Sequence, residues 1–175
     1  MAAGAHISVR PRRDADLPVL LTMLQRTHER EGYPVRASAV RADWLAAPRE
    51  LAGLVAEHDR RVIGHIALHP TAVPGNDAGE DAAAVQWQHA TGVAVGRLAV
   101  LSRFVTDRSV PGNGTTLLAH AVRAAADIDR VPVLLVDPDS AARDFYLRRG
   151  WREVGAARQQ WGPRSVDAVL MIAGA

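Results

Sequence analysis

Apolar and polar positions along the first third of the chain predict one edge strand and two helices. Apolar and polar residues alternate over residues 7–11, which is typical of a half-exposed strand. Leucines then recur at three- and four-residue spacing from Leu17 to Leu24, so a helix capped by Asp14 or Asp16 should place one apolar face on a core. We expect residues 32–34 to end it, and a second helix to follow over residues 37–46.

Continuous apolar runs predict the strands of the remaining chain. Leu51–Glu57 and Arg61–Leu68 should form a hairpin, because the three residues between them favour a turn. Val93–Val100 and Val133–Asp137 are strands of the kind that is buried on both faces. The other predicted elements are a helix from Gly114 to about Asp129, a last helix capped by Asp139 or Ser140 and ended by Gly150, and a closing hairpin of Trp151–Val154 and Val166–Ile172.

The segment Thr71–Ala90 shows no clear periodicity between two strands that should pair. A connection of this length is usually a flexible loop or a lid. We therefore predict a mobile loop whose last part, Gln86–His89, begins the fourth strand.

Gly112-Asn113-Gly114 opens a helix directly after a strand and a polar turn. Glycines allow a ligand to approach the backbone, and the free N–H groups of a first helical turn favour an anion such as a diphosphate. Read alone, the same glycines are equally typical of a plain turn. A Rossmann dinucleotide site is disfavoured, because Leu117 replaces the third glycine of that motif.

Three motifs in order make the region Val95–Trp151 resemble the GCN5-related N-acetyltransferases (the GNAT family). They are L-x-V at Leu98-Ala99-Val100, G-x-G-x-x-L-L at Gly112–Leu118, and A-x-x-F-Y-x-x-x-G-W at Ala142–Trp151. The resemblance implies an α/β (α+β) fold over residues 1–175 as a single domain. Its mixed, twisted β-sheet would have about six to seven strands and about four flanking helices, with a V-shaped splay between strands four and five.

The resemblance also implies a binding site for acetyl-CoA. The backbone of Leu98, Ala99 and Val100 would pair with pantetheine, and N–H groups from Val110 to Thr115 would face the diphosphate. Tyr146 would be the catalytic acid. The implied cofactor-binding residues are Leu98, Ala99, Val100, Val110, Gly112, Asn113, Gly114, Thr115, Asp139 and Tyr146.

The sequence departs from the family pattern in four places. Ser109 stands where an arginine or glutamine is usual, and Asp139 stands where the last helix commonly has asparagine. About four residues more than usual separate Val100 from the glycines, with Ser102–Thr106 as the apparent excess. The predicted fourth strand, Val93–Val100, carries no carboxylate, so a general base must come from elsewhere or act through water.

Histidines and aromatic residues supply the candidates for the acceptor side. His65, His69 and His89 are candidate bases or substrate contacts, although an ordinary core or surface role is the alternative for each. Tyr33 and Trp44 lie in the helical region that borders the acceptor in the resembled family, and core packing is the alternative for both.

Composition excludes several classes of function. The chain has no cysteine, which excludes disulfides, thiolate metal sites and an acetyl-cysteine route. No histidine spacing indicates a metal site. The sequence pI of about 9.9 follows from arginine usage at a net charge of only +2, so a nucleic-acid partner is not expected. No apolar run reaches membrane-spanning length, so a membrane partner is not expected either. We expect a cytoplasmic protein, and the resemblance leaves a homodimer open.

Two functions are compatible with these features of the sequence. The first is an acetyl-CoA-dependent N-acetyltransferase that transfers acetyl directly to a primary amine of a small molecule or protein. The alternative is a non-catalytic acyl-CoA-binding regulatory module. Tyr146 in the position of the family's acid favours the enzyme.

Overall fold

The computed structural model describes residues 6–71 and 78–174. The strands are β1 (Ser8–Pro11), β2 (Ala52–His58), β3 (Arg61–His69), β4 (Leu98–Thr106), β5 (Val131–Val136), β6 (Arg152–Trp161) and β7 (Arg164–Ile172). The helices are α1 (Leu17–Glu31), α2 (Ala42–Leu45), α3 (Ala78–Thr91), α4 (Asn113–Asp127) and α5 (Ala141–Leu147). Short 3₁₀ turns form at Asp14–Asp16, Ala37–Ala39 and Val95–Arg97.

The strands form one mixed sheet in the order β1-β2-β3-β4-β5-β7-β6. The β1–β2, β2–β3, β5–β7 and β6–β7 pairs are antiparallel, and β4–β5 is parallel. A parallel pair requires a crossover connection, which α4 supplies. The predicted mixed sheet with flanking helices is confirmed.

The parallel register of β4 and β5 is short. It pairs Leu98–Val100 with Val131–Val133, although β4 continues to Thr106 and β5 to Val136. On its other edge β5 pairs with β7 from Val133 to Val136. The short register agrees with the predicted divergence of strands four and five.

Backbone contacts divide the described residues into two compact units. The first unit contains the residues up to Leu68 together with Arg103–Ala124, and the second contains His69–Ser102 and the residues from Ala125 onwards. Strand β4 and helix α4 each contribute to both units. A single domain over residues 1–175 stays a prediction.

The core of the first unit lies under α1. Leu20, Leu24, Leu45, Val55 and Val105 are buried together. The leucine spacing predicted this apolar face, and Gly32 ends α1 as expected in the left-handed conformation, at φ +70°, with its N–H donating to the carbonyl of His28.

The core of the second unit includes helix α3, which corrects the prediction of a loop over Thr71–Ala90. Residues 78–91 are helical, and residues 72–77 of the predicted loop lie outside the described residues. Ala83 and Trp87, one helical turn apart, pack with Leu98 and Leu170. The buried face of α3 consists mostly of alanines and one tryptophan, so its hydrophobicity differs little from that of the opposite face. The hydrophobic periodicity therefore did not predict this helix.

Two further boundaries differ from the sequence predictions. The fourth strand begins at Leu98 and runs on to Thr106, so the apparent excess of Ser102–Thr106 is a continuation of the strand. The expected helix over residues 37–46 is two short turns, Ala37–Ala39 and Ala42–Leu45, separated where Val40 leaves helical geometry with ψ +75°. In the described part of the chain, no helix is both long and apolar enough to cross a bilayer.

Candidate active site

A single backbone oxygen joins the two ends of the loop between β4 and α4. The carbonyl oxygen of Ile63 in β3 accepts a hydrogen bond of 2.7 Å from the N–H of Asp107, where β4 ends. The same oxygen accepts a hydrogen bond from the side-chain amide of Asn113, the first residue of α4. Residues 107–113 are thus held as a closed loop on β3, with a fixed entry into the helix.

Asp107 also shapes the loop from within. One carboxylate oxygen accepts the N–H of Ser109 at 2.9 Å and its hydroxyl at 2.6 Å. These hydrogen bonds lower the pKa of Asp107, and the nearby charges of Arg61 and Arg26 act in the same direction. The loop entry is therefore built on an aspartate and a serine, in place of the arginine or glutamine of the family pattern.

The N-terminus of α4 has the features of an anion site. Gly112 is exposed in the left-handed conformation at φ +83°, and no atom lies within 4 Å of the place where a Cβ would stand. The first N–H groups of an α-helix have no acceptor within the helix. Gly114 and Thr115 stand in this first turn, while the buried side chain of Asn113 points inward to Ile63. The side chain of Asn113 is therefore turned away from an anion at the helix N-terminus, and its backbone N–H donates to the carbonyl of Val110 at 3.4 Å.

Gly64 allows α4 to sit close to β3. A Cβ at this position would lie 2.7 Å from Cδ1 of Leu117 and 3.0 Å from Oδ1 of Asn113. Neighbouring residues of a strand point to opposite faces, so α4 covers one face here and His65 points to the face that carries α1 and α2. A Cβ here would have to displace the end of the Leu117 side chain, and it would also lie 3.1 Å from the backbone oxygen of Val105.

Strand β4 leaves the extended conformation at Arg103, where φ is +50°. We call this residue the β4 kink. Its carbonyl oxygen accepts a hydrogen bond of 2.8 Å from Nδ1 of His65. Its guanidinium donates from Nε to the carbonyl of Trp44 at 2.9 Å and lies 4.9 Å from the centroid of the Trp44 ring.

A buried polar chain lies behind the β4 kink. Nε2 of His65 is 2.9 Å from the guanidinium of Arg12, which also binds the carboxylate of Glu50 and the carbonyl of Leu45. His65 is fully buried, and this burial lowers its pKa to about 4, with the charges of Arg12 and Arg103 adding to the effect. The ring is therefore neutral at physiological pH.

Tyr33 and Trp44, the predicted acceptor-side aromatics, lie together beside the β4 kink. Their rings meet edge to face with centroids 6.2 Å apart. Part of the Tyr33 residue is exposed, but its phenol is buried. This burial raises the pKa of Tyr33 to about 12. The charge of Arg103 and the backbone N–H groups of Phe104 and Arg103 act in the opposite direction and lower it. Those two N–H groups therefore face the phenolic oxygen.

The predicted pantetheine contacts of Leu98, Ala99 and Val100 stay a prediction. The structure engages the backbone of Leu98, Ala99 and Val100 with Val131–Val133 of β5, and the carbonyl of Leu98 accepts a further bond of 3.0 Å from Arg130. The part of β4 outside the β5 register is residues 101–106. The L-x-V motif identified the correct strand, but the strand is longer than the motif.

Tyr146 lies in α5 of the second unit and is 6% exposed. Its ring is 5.3 Å from that of Phe145 and 5.7 Å from that of Trp151, measured between centroids. Ser140 caps this helix by accepting the N–H of Ala142, and the neighbouring Asp139 is exposed. The acid role of Tyr146 and the cofactor contact of Asp139 stay predictions.

One comparison, with models of protein families, identifies the family of this chain. The model of the family described as "Acetyltransferase (GNAT) family" matches residues 17–151. The chain belongs to the GNAT family. A search of curated protein sequences returned no significant match.

Solved structures share the fold of this chain. FeeM, an N-acyl amino acid synthase from uncultured soil microbes, is 17% identical at a TM-score of 0.70, over 97% of this chain and 91% of that chain. Ribosomal-protein-alanine N-acetyltransferase from Brucella melitensis is 21% identical at a TM-score of 0.69, over 94% of this chain and 97% of that chain. PaiA N-acetyltransferase from Thermoplasma acidophilum, solved in complex with coenzyme A, is 16% identical at a TM-score of 0.65, over 97% of this chain and 99% of that chain.

The candidate bases of this GNAT chain are placed differently from the sequence expectation. His89 is exposed on α3 rather than on a strand, and His69 is half-buried at the end of β3. His65 has both ring nitrogens in hydrogen-bonding contacts. Among residues 6–71 and 78–174, no group of three histidine or acidic side chains could hold a metal ion.

Sequence reasoning did not predict the buried contacts of His65 with Arg12 and Arg103, or of Arg12 with Glu50. These residues are far apart along the chain and belong to no motif, because only the tertiary fold brings them together. One signal was available: an arginine and a histidine inside otherwise apolar strands require buried partners.

Proposed function

We propose that this GNAT protein transfers the acetyl group of acetyl-CoA directly to a primary amine of a small molecule or protein. The observation that carries the proposal is the anchored N-terminus of α4, where Gly112 leaves open space beside the first helical turn. The residues fit the diphosphate of coenzyme A, because they offer a helix N-terminus to an anion without a side chain in the way.

Different residues of the chain would carry out cofactor binding, charge stabilisation and proton transfer. The backbone of residues 112–115 would hold the diphosphate, and bound acetyl-CoA would supply the activated thioester. A backbone N–H of the fourth strand, β4, would stabilise negative charge on the acyl oxygen, since a backbone donor held in place acts without reorganisation. A neutral amine attacks the acyl carbon, so a C–N bond forms while the C–S bond breaks, and Tyr146 gives its proton to the departing thiolate.

The amine must lose a proton, and we propose water or one of His65, His69 and His89 as its acceptor. Within this set His65 is disfavoured, because it is fully buried and its burial lowers its pKa to about 4. The test is the pH dependence of the rate in each single His→Ala variant. A profile that follows only the pKa of the acceptor amine, in all three variants and in the wild type, would show that no histidine acts as the base.

Related structures support an amine acceptor without identifying it. One is named for acetylation of a ribosomal protein's alanine, and another is named for the synthesis of N-acyl amino acids. We therefore propose a panel that contains a free amino acid, a polyamine and a peptide with N-terminal alanine.

The decisive experiment follows the release of free CoA thiol from acetyl-CoA with each amine of this panel. We expect at least one amine to raise the rate well above hydrolysis. If acetyl-CoA raises the melting temperature but no amine accelerates thiol release, the alternative of an acyl-CoA-binding regulatory module replaces the enzyme. If NAD stabilises the protein and acetyl-CoA does not, both assignments are wrong.

A further inference from the structure

A groove in the first unit collects arginine side chains from three parts of the chain. It has a volume of about 180 Å³ and is lined by α1, the start of β3, the end of β4 and the loop that follows β4. We call it the arginine groove, after Arg26 and Arg30 of α1, Arg61 of β3 and Arg108 of the loop. Neither the proposed diphosphate site nor the proposed acid uses any of these four side chains.

Acidic residues balance only half of the charge in the arginine groove. Arg30 and Arg108 both form ion pairs with Glu31, at 2.6 and 2.8 Å. The acidic residue that lines the groove is Asp107, whose carboxylate already accepts the N–H and the hydroxyl of Ser109. Two carboxylates against four guanidinium groups leave an excess of two positive charges.

Arg26 and Arg61 are the two arginines of the groove that lack an ion pair. Within the described residues neither guanidinium forms a hydrogen bond or a salt bridge, although both charges act on Asp107 at longer range. Both residues are exposed, so a ligand can reach them. Like charges four residues apart on a helix, such as Arg26 and Arg30, repel each other. A groove with an excess of one sign of charge attracts a ligand of the opposite sign.

The chemistry of the groove fits a phosphate group. The planar guanidinium fork donates paired hydrogen bonds to phosphate or carboxylate oxygens. A phosphate monoester has its second pKa near 6, so at neutral pH it carries close to two negative charges, which match the excess in the groove. A carboxylate carries one negative charge and two oxygens, so it satisfies the groove less completely.

We propose that the arginine groove binds the phosphate monoester of a small molecule, with Arg26 and Arg61 as its direct ligands. One source of this group is the 3′-phosphate of coenzyme A. Arg108 stands only four residues before Gly112, in the loop that is closed on the carbonyl of Ile63. The other source is a phosphate on a separate ligand, such as the acceptor. The first source rests on the proposed function, whereas phosphate binding itself does not.

Inorganic phosphate is the probe for the groove itself. During a titration at constant ionic strength, the side-chain Nε–H signals of Arg26 and Arg61 in nuclear magnetic resonance spectra should shift and saturate. We expect Arg26→Gln and Arg61→Gln each to raise the Kd for phosphate by about 10-fold, because each removes a charge-assisted contact. Arg49→Gln is the matched control, because Arg49 is an exposed arginine of the same unit outside the groove. It should keep the Kd within about twofold.

Four results would overturn the proposal. The signals of Arg26 and Arg61 could fail to saturate in the wild type, which decides the matter even if no variant folds. Arg49→Gln could weaken phosphate binding as much as the groove variants do, which would leave only a general effect of charge. Phosphate binding could be lost in Gly112→Val and kept in both groove variants, which would place the anion at α4. Acetate could bind as tightly as phosphate, which would make the groove a carboxylate site.

Coenzyme A and dephospho-coenzyme A, which lacks only the 3′-phosphate, distinguish the two sources. If the cofactor supplies the phosphate, coenzyme A should bind about 10-fold more tightly in the wild type, and the difference should disappear in the double variant Arg26→Gln/Arg61→Gln. Equal binding of the two cofactors, with inorganic phosphate still bound at saturating coenzyme A, assigns the groove to a separate phosphorylated ligand. If neither cofactor binds and inorganic phosphate does, the proposed function fails and the phosphate site stands.

Discussion

A Cβ added to Gly64 would lie 2.7 Å from Cδ1 of Leu117, so a single glycine of β3 allows helix α4 to rest on the sheet. This contact, together with the hydrogen bonds to the carbonyl of Ile63, sets where the N-terminus of α4 stands.

Gly64→Ala should therefore lower stability and weaken cofactor binding together. We expect a loss of about 1–3 kcal/mol in the free energy of unfolding, because the methyl group overpacks a tight contact. The stabilisation by acetyl-CoA should also shrink, since the anion site moves with the helix. Gly96→Ala is the matched control, because no atom lies within 4 Å of its added Cβ. Equal effects of the two variants in denaturant titrations would contradict the assignment.

Gly112→Val tests the anion site itself. Gly112 and Gly92 both have positive φ, +83° and +70°, and both leave open space for a Cβ. Valine at either position should cost a similar amount of backbone strain, about 1–2 kcal/mol. In the wild type, acetyl-CoA at a hundred times its Kd should add about 2.7 kcal/mol of stability. We expect this increment to vanish in Gly112→Val and to persist in Gly92→Val. If both variants keep it in thermal melts, the loop is only a turn.

Tyr146→Phe removes the proposed acid and keeps the aromatic ring that packs between Phe145 and Trp151. A phenol with a pKa near 10 holds its proton at neutral pH, and the thiol of coenzyme A has a pKa of about 8.5, so the transfer needs no special tuning. The chemical step should slow by about 10²-fold or more, with the melting shift by acetyl-CoA nearly unchanged. Single-turnover rates equal to those of the wild type would exclude Tyr146 as the acid.

Asp16→Asn should show a stability loss that depends on pH. The buried carboxylate accepts two hydrogen bonds of 2.8 Å from Arg10 and one of 2.7 Å from the N–H of Arg13. The hydrogen bonds from Arg10 hold the pKa of Asp16 below its usual value despite burial. At neutral pH we expect the variant to lose about 2–4 kcal/mol in the free energy of unfolding.

The sign of the pH effect follows from the lowered pKa. The ion pair stabilises the fold above the unfolded pKa of about 4, and this contribution disappears as the pH falls through the folded value. The difference between wild type and Asp16→Asn should therefore narrow in urea titrations at pH 3. Asp43→Asn, whose ion pair with Arg41 is exposed, serves as the control and should cost less than about 1 kcal/mol at any pH. If the difference in the free energy of unfolding between wild type and Asp16→Asn grows as the pH falls, the ion pair between Asp16 and Arg10 is refuted.

The sequence alone determined the parts of this protein that depend on local patterns. Leucine spacing and Gly32 determined α1, the glycines of residues 112–114 determined the start of α4, and continuous apolar runs determined the buried strands. These signals are short in range, because a helix face or a turn is decided by residues within about one or two turns. The three motifs at Leu98–Val100, Gly112–Leu118 and Ala142–Trp151 were sufficient to identify the family.

Tertiary structure decided what depends on contacts between distant residues. Helix α3 forms because Ala83 and Trp87 find a core in the second unit, and β4 extends to Thr106, far beyond its motif. The β4 kink at Arg103 is held by His65 from another strand and by Trp44 from a helical turn. The hydrogen-bond partners of a buried polar group are determined by the tertiary fold, and no local sequence pattern predicts them.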